Sequence, residues 1–454
     1  MGGSRYNDGV VGQESGGQAG WVTGGEFMPT VVWQPAVQPS PSRGNGSGAT
    51  EQTLEEARVD EKIPQEILSR GGIGALDRWK ADLHDALGKA ATLMDAERAM
   101  AVLGSRLWQR AVDRAHGRAE SGSDLPGTDD RPLYWTRLAI ARELRAWCAR
   151  SPLDEQARRR VMLAFEHASR GIGRTPTDTP PNSQRILQVV ITGFDPFQLD
   201  RSLPANGDLR HSNASGCLAL ALDGTTLDTD AGPAHITTMI FPLRWHAFTN
   251  GIVEHALTPY FQPGPNRADL FTTVSQGRQD RFDLEHTNGA WRGVWWDNLN
   301  QRAPGPVPIP PDVRTVRPQP QWTKTTLPVS RLTSRPGAPF PIYDHTTVKE
   351  IPADSVEPVE RENGPTANSL AQEGGGGDYL SNEIGYRATL LRDACQLRVP
   401  GGHLHTPVLL FDKDNTDPAK GRITDPVLER YRDAVIGQAS TLLTTALSTL
   451  TPSP

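Results

Sequence analysis

Three residues in the second half of the chain have side chains that are used in hydrolysis: Glu285, Ser381 and His405. A histidine can act as a general base, a carboxylate can orient that histidine, and a serine hydroxyl can attack a carbonyl carbon. Glu285 follows an apolar segment, whereas Ser381 follows four glycines and begins a helix-like segment. These residue types are compatible with acyl-transfer chemistry, provided that the fold brings them together.

Each of these residues also has a simpler interpretation. Glu285 lies among polar residues, as a solvated acid does. Ser381 at the start of a helix can serve as its N-cap, because a serine side chain accepts a hydrogen bond from a free backbone N–H group. His403 and His405 would share one face of a strand, but a third ligand is not evident, so neither a metal site nor another cofactor is predicted.

The elements that must position these residues alternate between strands and helices. An almost continuous apolar run at 186–192 predicts a strand that is buried on both faces. Further strands are expected at 236–241, 270–274 and 408–411, and helices at 212–222 and 424–447. This alternation predicts a three-layer α/β/α sandwich with a mostly parallel sheet. In such folds, functional side chains gather at the carboxyl ends of the strands.

Composition divides the chain into segments. Residues 1–58 are rich in glycine and lack apolar periodicity, so we predict a disordered N-terminal tail. Residues 59–172 have apolar residues at three- and four-residue steps, which indicates a small all-helical domain without visible chemistry. Residues 173–185 form a predicted linker rich in proline and threonine. The α/β domain is expected over 186–454, with an insertion at 301–372.

Charge and hydropathy limit the partners and the location. The net charge is −6 and no basic block is present, so nucleic acid is not a predicted partner. No apolar run approaches the ~20 residues that cross a bilayer. The start of the chain lacks a signal-peptide pattern, which favours a cytoplasmic location, although the tail and linker would also suit a secreted protein. The three cysteines are far apart and are expected in the core, and the oligomeric state stays open.

Seven short segments, taken in chain order, resemble the pyroglutamyl peptidase type I family, the cysteine peptidases that remove N-terminal pyroglutamate. The segments are ITGFDPF, SNASG, FPLRW, DLEHTN, WTKTTLP, YLSNEIGY and GGHLHTPVL. The step of 24 positions from Ser381 to His405 is similar to the family's step from cysteine to histidine. The resemblance covers residues 186 to about 415 and leaves out the tail and the helical domain.

The resemblance implies a hydrolase that cleaves an N-terminal pyroglutamyl amide bond of a peptide or small lactam. It implies a triad of Glu285, Ser381 and His405, with Phe194 and Phe197 beside the flat lactam ring. Gln276, Tyr379 and Leu380 are the further predicted substrate-binding residues. The family's arginine after the glutamate has no clear match, and Arg292 is nearest to it.

The chain departs from the family at the nucleophile, because serine stands at position 381 where the family has cysteine. A cysteine near a histidine can be largely a thiolate before the substrate arrives, whereas a serine needs its base during the attack. Two functions therefore stay open: a serine-dependent hydrolase, and a catalytically inactive relative that binds a peptide or small molecule. A different reaction on a similar sheet, such as nucleoside phosphorolysis, is disfavoured, because the sequence contains no recognisable phosphate-binding motif.

Overall fold

The computed structural model describes residues 51–118, 122–174, 185–203, 207–334 and 339–450. The helices are α1 (Leu54–Arg58), α2 (Lys62–Arg70), α3 (Leu76–Gly88), α4 (Leu93–Ala115), α5 (Arg131–Arg150), α6 (Glu155–Ala168), α7 (Ala214–Leu222), α8 (Trp245–Thr249), α9 (Ile252–Phe261), α10 (Val329–Thr333), α11 (Leu380–Ala394) and α12 (Pro426–Leu447), with a short 3-10 helix at Lys413–Asn415. Within these described ranges, none of the helices combines the length and apolar character that a membrane crossing requires.

The strands are β1 (Leu187–Phe194), β2 (Thr226–Thr229), β3 (Gly232–Phe241), β4 (Leu270–Gln276), β5 (Phe282–Glu285), β6 (Thr287–Gly289), β7 (Trp291–Arg292), β8 (Gly305–Pro306), β9 (Trp322–Lys324), β10 (Ile342–His345), β11 (Val348–Ile351), β12 (Val359–Arg361), β13 (Leu370–Glu373) and β14 (Gly401–Thr406). The main sheet has the order β10-β5-β14-β4-β1-β3-β2. Strands β3, β1, β4 and β14 are parallel to one another, as are β5 and β10, whereas β5 is antiparallel to β14 and β2 to β3. The sheet is therefore mostly parallel, as predicted.

Helices cover both faces of this sheet. On one face, Val189 and Ile191 of β1 pack into a core with α7 and α12. On the opposite face, Val190 and Phe194 of the same strand pack into a core with α9 and α11. Because both faces of β1 are covered, its apolar residues form a continuous run instead of alternating with polar ones. The predicted three-layer α/β/α architecture is thereby confirmed.

The helical region α1–α6 packs against α7 and braces the loops around it. Trp108 of α4 shares a core with Ala219 and Leu220 of α7. Asp130, just before α5, accepts hydrogen bonds from Ser212 Oγ at 2.5 Å and from Asn213 N at 3.0 Å. These contacts fix the start of α7, which lies beside the carboxyl end of β1. The helical region and the sheet belong to one unit that spans residues 45–454.

The boundaries of two predicted segments differ from the structure. The chain is helical from Leu54, inside the segment 1–58 that was predicted as a tail, because Thr53 caps α1 and the acidic residues of α1 bind buried partners. The predicted strand at 408–411 is wrong, and β14 ends at Thr406. Pro407 follows it and has no N–H group to donate to a sheet. Residues 1–50 and most of the linker 173–185 lie outside the described residues.

The segment predicted as an insertion, 301–372, contributes to the main sheet. Its strand β10 pairs in parallel with β5 and forms one edge of that sheet. The rest of the segment includes a separate three-stranded sheet of order β12-β11-β13. Strand β10 brings residues close to Glu285. The weak periodicity of this segment did not predict that strand.

Candidate functional site

Glu285 and His405 form a buried hydrogen-bonded pair on the face of the sheet that α11 covers. Glu285 ends β5, and His405 lies in the neighbouring strand β14. His405 Nδ1 lies 2.6 Å from Glu285 Oε1. The two residues are 0% and 6% exposed, respectively. In the described part of the chain, His405 Nε2 has no hydrogen-bond partner, so this nitrogen can accept a proton.

A further histidine, His345, completes the surroundings of Glu285. It ends β10 directly opposite Glu285, and its Nδ1 lies 2.7 Å from Glu285 Oε2. Sequence reasoning missed His345, because it is one of 11 histidines and lies in the segment predicted as an insertion. Each carboxylate oxygen of Glu285 therefore has its own histidine.

The two histidines control the ionisation of Glu285. Burial alone would raise the pKa of this carboxyl, but the hydrogen bonds from His345 and His405 hold that pKa well below its ordinary value. Burial likewise opposes the charged form of His345, but its bond to Glu285 outweighs burial and raises the pKa of His345 above the ordinary value. Glu285 is therefore an ionised carboxylate at neutral pH, which is the form that can orient a histidine.

His403 lies beside this pair, but neighbouring hydroxyl groups occupy both of its nitrogens. Its Nδ1 lies 2.8 Å from Thr273 Oγ1 and its Nε2 lies 2.9 Å from Ser275 Oγ. Burial and the adjacent His405 hold the pKa of His403 well below its ordinary value, so the ring is neutral. Over the residues that the structure describes, no group of three or more His, Cys, Asp and Glu side chains is arranged to hold a metal ion.

Ser381 lies in the first turn of α11. The helix begins at Leu380, and its N-cap is Tyr379, which makes no side-chain capping bond. The interpretation of Ser381 as an N-cap is therefore wrong: Tyr379 has extended backbone angles and is the last residue before the helix. Ser381 Oγ donates to Gly376 O at 3.0 Å, and among the described hydrogen bonds none joins Ser381 to His405.

The glycines before Ser381 form a tight turn against Glu285. Gly374 and Gly377 exchange backbone hydrogen bonds of 2.9 Å in both directions. A Cβ atom at Gly375 would lie 2.2 Å from Glu285 Oε2, so only glycine fits beside this oxygen. The glycine run thus allows the backbone to approach the carboxylate closely, and it links the position of Ser381 to that of Glu285.

Three of the predicted substrate-binding residues lie at or just beyond the carboxyl ends of β1 and β4 or at the start of α11. Phe197 follows β1, and its ring centroid is 6.5 Å from that of Tyr379. The ring of Tyr379 also contacts Trp245, at 5.2 Å between centroids. Gln276 ends β4, and its Oε1 accepts a hydrogen bond of 3.3 Å from Ala214 N at the start of α7. Phe197 and Tyr379 thus form part of an aromatic surface next to Ser381.

The other two predicted substrate-binding residues lie in the core. Phe194 is 1% exposed and stacks on Phe248 at 6.1 Å between ring centroids. Leu380 is 0% exposed and packs in the same core. Neither side chain reaches the surface in this structure, and the binding roles of all five residues stay predictions.

A buried ion-pair network anchors the first turn of α11. Arg292 of β7 donates to both carboxylate oxygens of Glu383 at 2.6 Å. Glu383 also accepts from Arg387 at 2.7 Å. The neighbouring Asn382 accepts from Gly289 N and donates to Gly289 O, both at 2.9 Å. These bonds hold the backbone around Ser381 in place.

The cysteines lie away from this arrangement. Cys148 and Cys217 are buried, and burial raises the pKa of their thiols to about 11 and about 12, respectively. Cys395 is the C-cap of α11, at the opposite end of the helix from Ser381. None of these three cysteines takes part in the described hydrogen bonds of Glu285, His345 and His405.

The fold and the site define an α/β protein with a mostly parallel central sheet and a buried histidine–carboxylate cluster on one face. Two family models match the chain: "PA0049 N-terminal domain" at residues 36–166 and "PA0049, C-terminal domain" at residues 188–313 and 340–410. "Uncharacterized protein PA0049" of Pseudomonas aeruginosa strain PAO1 is 32% identical to this chain, and the alignment covers 75% of this chain and 76% of that protein. The chain belongs to the PA0049 family.

Solved structures of pyrrolidone carboxyl peptidase from the hyperthermophile Pyrococcus furiosus are similar to part of this chain. A crystal structure of that enzyme and its Cys-free mutant matches with 16% identity and a TM-score of 0.39, and covers 58% of this chain and 100% of that chain. A further mutant of the same enzyme matches with 17% identity and the same TM-score of 0.39 and coverage.

Proposed function

We propose that this protein is a hydrolase that cleaves an N-terminal pyroglutamyl amide bond, with Ser381 as nucleophile, His405 as general base and Glu285 as the residue that orients the base. The observation that carries this proposal is the 2.6 Å bond between Glu285 Oε1 and His405 Nδ1. It leaves Nε2 as the nitrogen that can accept a proton, which is the arrangement that serine-dependent hydrolysis needs.

The packing of α11 on β14 supports the position of Ser381. Arg392 Nη1 lies 3.4 Å from Gly401 O, and a Cβ atom at Gly385 would lie 3.0 Å from His403 Cβ. The helix and the strand therefore run in opposite directions. Four helical residues rise ~6 Å and two strand residues ~6.6 Å. From the contact between Gly385 and His403, four residues back along α11 lead to Ser381, and two residues forward along β14 lead to His405. These two distances are nearly equal and run in the same direction, so we expect Ser381 beside His405.

The reaction would proceed through an acyl-enzyme. Ser381 Oγ attacks the carbonyl carbon while its proton passes to His405 Nε2, and the resulting imidazolium is stabilised by the ionised Glu285. His405 then gives this proton to the leaving amine as the amide C–N bond breaks. Water, activated in the same way by His405, hydrolyses the acyl ester and regenerates the Ser381 hydroxyl.

The start of α11 supplies groups for the developing oxyanion. The first N–H groups of a helix have no partner within the helix, and Tyr379 does not cap them with its side chain. The N–H groups of residues 381 and 382 and the positive end of the helix dipole would stabilise negative charge on the carbonyl oxygen. A donor of this kind contributes about 100-fold or more to kcat.

A second function, binding of a peptide or small molecule without catalysis, is favoured by one contact. Ser381 Oγ donates to Gly376 O at 3.0 Å, which occupies the hydroxyl proton that His405 would have to accept. In the hydrolase, rotation about the Cα–Cβ bond of Ser381 would take the hydroxyl to another staggered position facing His405. In the binding protein, the hydroxyl would stay on Gly376.

The test is hydrolysis of a fluorogenic pyroglutamyl amide by the purified protein, with a prolyl amide as the control substrate that lacks the lactam carbonyl. We expect turnover of the first substrate only, and its loss in Ser381→Ala and His405→Ala. Ser440→Ala is a matched control, because the hydroxyl of Ser440 donates to a backbone carbonyl at 2.8 Å within α12. This control should keep full activity.

The outcomes separate the two functions. Turnover by the wild type that both alanine variants abolish supports the hydrolase. An inactive wild type together with an active Ser381→Cys variant would mean that the pocket binds the lactam but that Ser381 does not attack it. Inactivity of both, with saturable binding of a pyroglutamyl peptide in calorimetry, would support the binding protein and contradict the hydrolase.

A further inference from the structure

The surroundings of Glu285 contain one more histidine than the proposed triad uses. Oε1 of Glu285 faces His405 at 2.6 Å, and Oε2 faces His345 at 2.7 Å. Glu285 is fully buried, so neither oxygen can be satisfied by bulk water. His345 has only 14% of its side chain exposed. His345 is therefore a buried, hydrogen-bonded part of the site, although the proposed reaction assigns it no role.

The other side of His345 shows which nitrogen carries its proton. Arg278 Nη2 lies 3.3 Å from His345 Nε2, and Arg278 Nη1 lies 2.9 Å from Asp283 Oδ2. A guanidinium group can only donate, so in the neutral ring of His345 Nε2 accepts and Nδ1 carries the hydrogen, and in the charged ring Nδ1 carries a hydrogen as well. Asp283 holds Arg278, Arg278 selects the tautomer of His345, and His345 donates to Glu285.

We infer that His345 is a positioning residue: by donating to Oε2, it fixes the rotation of the Glu285 carboxylate so that Oε1 meets His405 Nδ1. This inference rests on the proposed function for its catalytic consequence. Without the donor, the carboxylate can turn about its terminal bond, since such torsions are broad. The bond to His405 would then lengthen, and Nε2 of His405 would no longer be held toward Ser381.

The edge position of β10 explains why His345 can fill this role. The parallel register places His345 directly opposite Glu285, and Tyr343 opposite Asp283. Since β10 lies in the segment predicted as an insertion, that segment supplies a functional neighbour of the site as well as an edge strand. A hydrolase without this strand would need another donor for the buried Oε2.

The test compares His345→Leu, His345→Asn and His345→Gln with the wild type. Leucine is apolar and cannot donate. Asparagine places an amide N–H near the position of the imidazole Nδ1, whereas glutamine places it nearer to Nε2. We expect kcat for the pyroglutamyl amide to fall about 10- to 100-fold in His345→Leu with KM nearly unchanged, because a shift of about 1 Å can cost 100-fold. We expect His345→Asn to recover most of this loss and His345→Gln to recover little.

A second readout does not depend on activity. In protein labelled with ¹⁵N-histidine, the low-field proton of His405 Nδ1–H reports its short bond to Glu285. We expect that resonance to be lost or shifted in His345→Leu and restored in His345→Asn. The matched control is His286→Leu, since His286 is the neighbour of Glu285 in the chain but its side chain is 40% exposed and pairs with Asp344. This control should leave both readouts unchanged.

The two readouts distinguish the failure of this inference from the failure of the proposed function. A wild type that does not cleave the substrate but shows the donor-dependent resonance retains the positioning role and contradicts the hydrolase. A folded His345→Leu variant with an unchanged resonance overturns the positioning role, whether or not the enzyme is active. If His345→Leu does not fold, the comparison of His345→Asn with His345→Gln decides, and equal resonances in these two variants would overturn it.

Discussion

Gly277 contacts the imidazole of His405 so closely that a single methyl group should displace the ring. Gly277 follows β4, and its N–H donates to Thr406 O at 2.9 Å, which fixes the backbone on both sides of the contact. A Cβ atom at Gly277 would lie 2.7 Å from Cγ of His405 and 2.8 Å from its Cβ and Cδ2. Ordinary van der Waals contact begins at 3.4 Å, so Gly277→Ala requires the ring to move by about 0.7 Å.

This displacement has a calculable consequence for catalysis. A misplacement of about 1 Å costs about 100-fold in rate, so we expect Gly277→Ala to lower kcat between about 10- and 100-fold. Overpacking in a filled site should also lower the free energy of unfolding by about 1–3 kcal/mol. The low-field resonance of His405 Nδ1–H should shift, because the bond to Glu285 changes length with the ring position.

The assay is kcat for the pyroglutamyl amide, with urea denaturation to confirm that the variant is folded. The matched control is Gly437→Ala in α12, where the added methyl group would meet no atom of the described residues within 4 Å apart from its own helix backbone and chain neighbours. That control should keep full activity and gain up to ~1 kcal/mol in stability, since alanine favours a helix over glycine. A folded Gly277→Ala with wild-type kcat and an unchanged His405 resonance would refute the reasoning.

Three further predictions concern buried charges. Glu285→Gln should lower kcat by about 1,000-fold or more, because an amide cannot stabilise the imidazolium. The folded state lowers the pKa of Glu285 from 4.5, so ionisation of this carboxyl stabilises the fold above pH 4.5. The free energies of unfolding of the wild type and this variant, measured in urea, should therefore converge as the pH falls through the folded-state pKa. Asp195→Asn should destabilise the protein by about 3–5 kcal/mol in urea, because buried Arg137 loses its ion-pair partner and buried Arg170 keeps Glu166 alone. Arg292→Met should also lower the free energy of unfolding by about 3–5 kcal/mol, because Glu383 loses a bidentate partner. Arg302→Ala removes only an exposed stacking contact with Trp296 and should lower it by under ~1 kcal/mol. Equal losses of stability in these two variants would contradict the strength assigned to the buried ion pair.

The local pattern of the sequence was enough to predict several elements. The apolar run that became β1 predicted a strand buried on both faces, and the Asp425-Pro426 start predicted α12. These predictions succeeded because a capping side chain, a proline in the first turn and a continuous apolar run act within a few residues of one another. The site residues Glu285 and His405 came from the resemblance to a family, and the structure places their side chains in contact.

The pairing of distant strands could not be predicted from local patterns. His345 meets Glu285 across 60 positions of the chain, and His405 meets the same residue across 120. Which strand pairs with β5, and in which register, depends on how the whole sheet packs between two helical layers. For this reason, the weak periodicity of the segment 301–372 did not show that this segment contains an edge strand of the main sheet.

The sequence by itself determined the alternation of strands and helices, the approximate starts of α7 and α12, and the supply of a carboxylate, a hydroxyl and a histidine. The tertiary structure alone decided that Glu285 has a histidine on each oxygen, that Ser381 lies within the first turn of α11, and that glycines fit against the site. The physical reason is that local structure follows from short-range hydrogen bonding and hydrophobic periodicity. A site follows from contacts between side chains that only the packing of the complete sheet and its helices brings within 3 Å of each other.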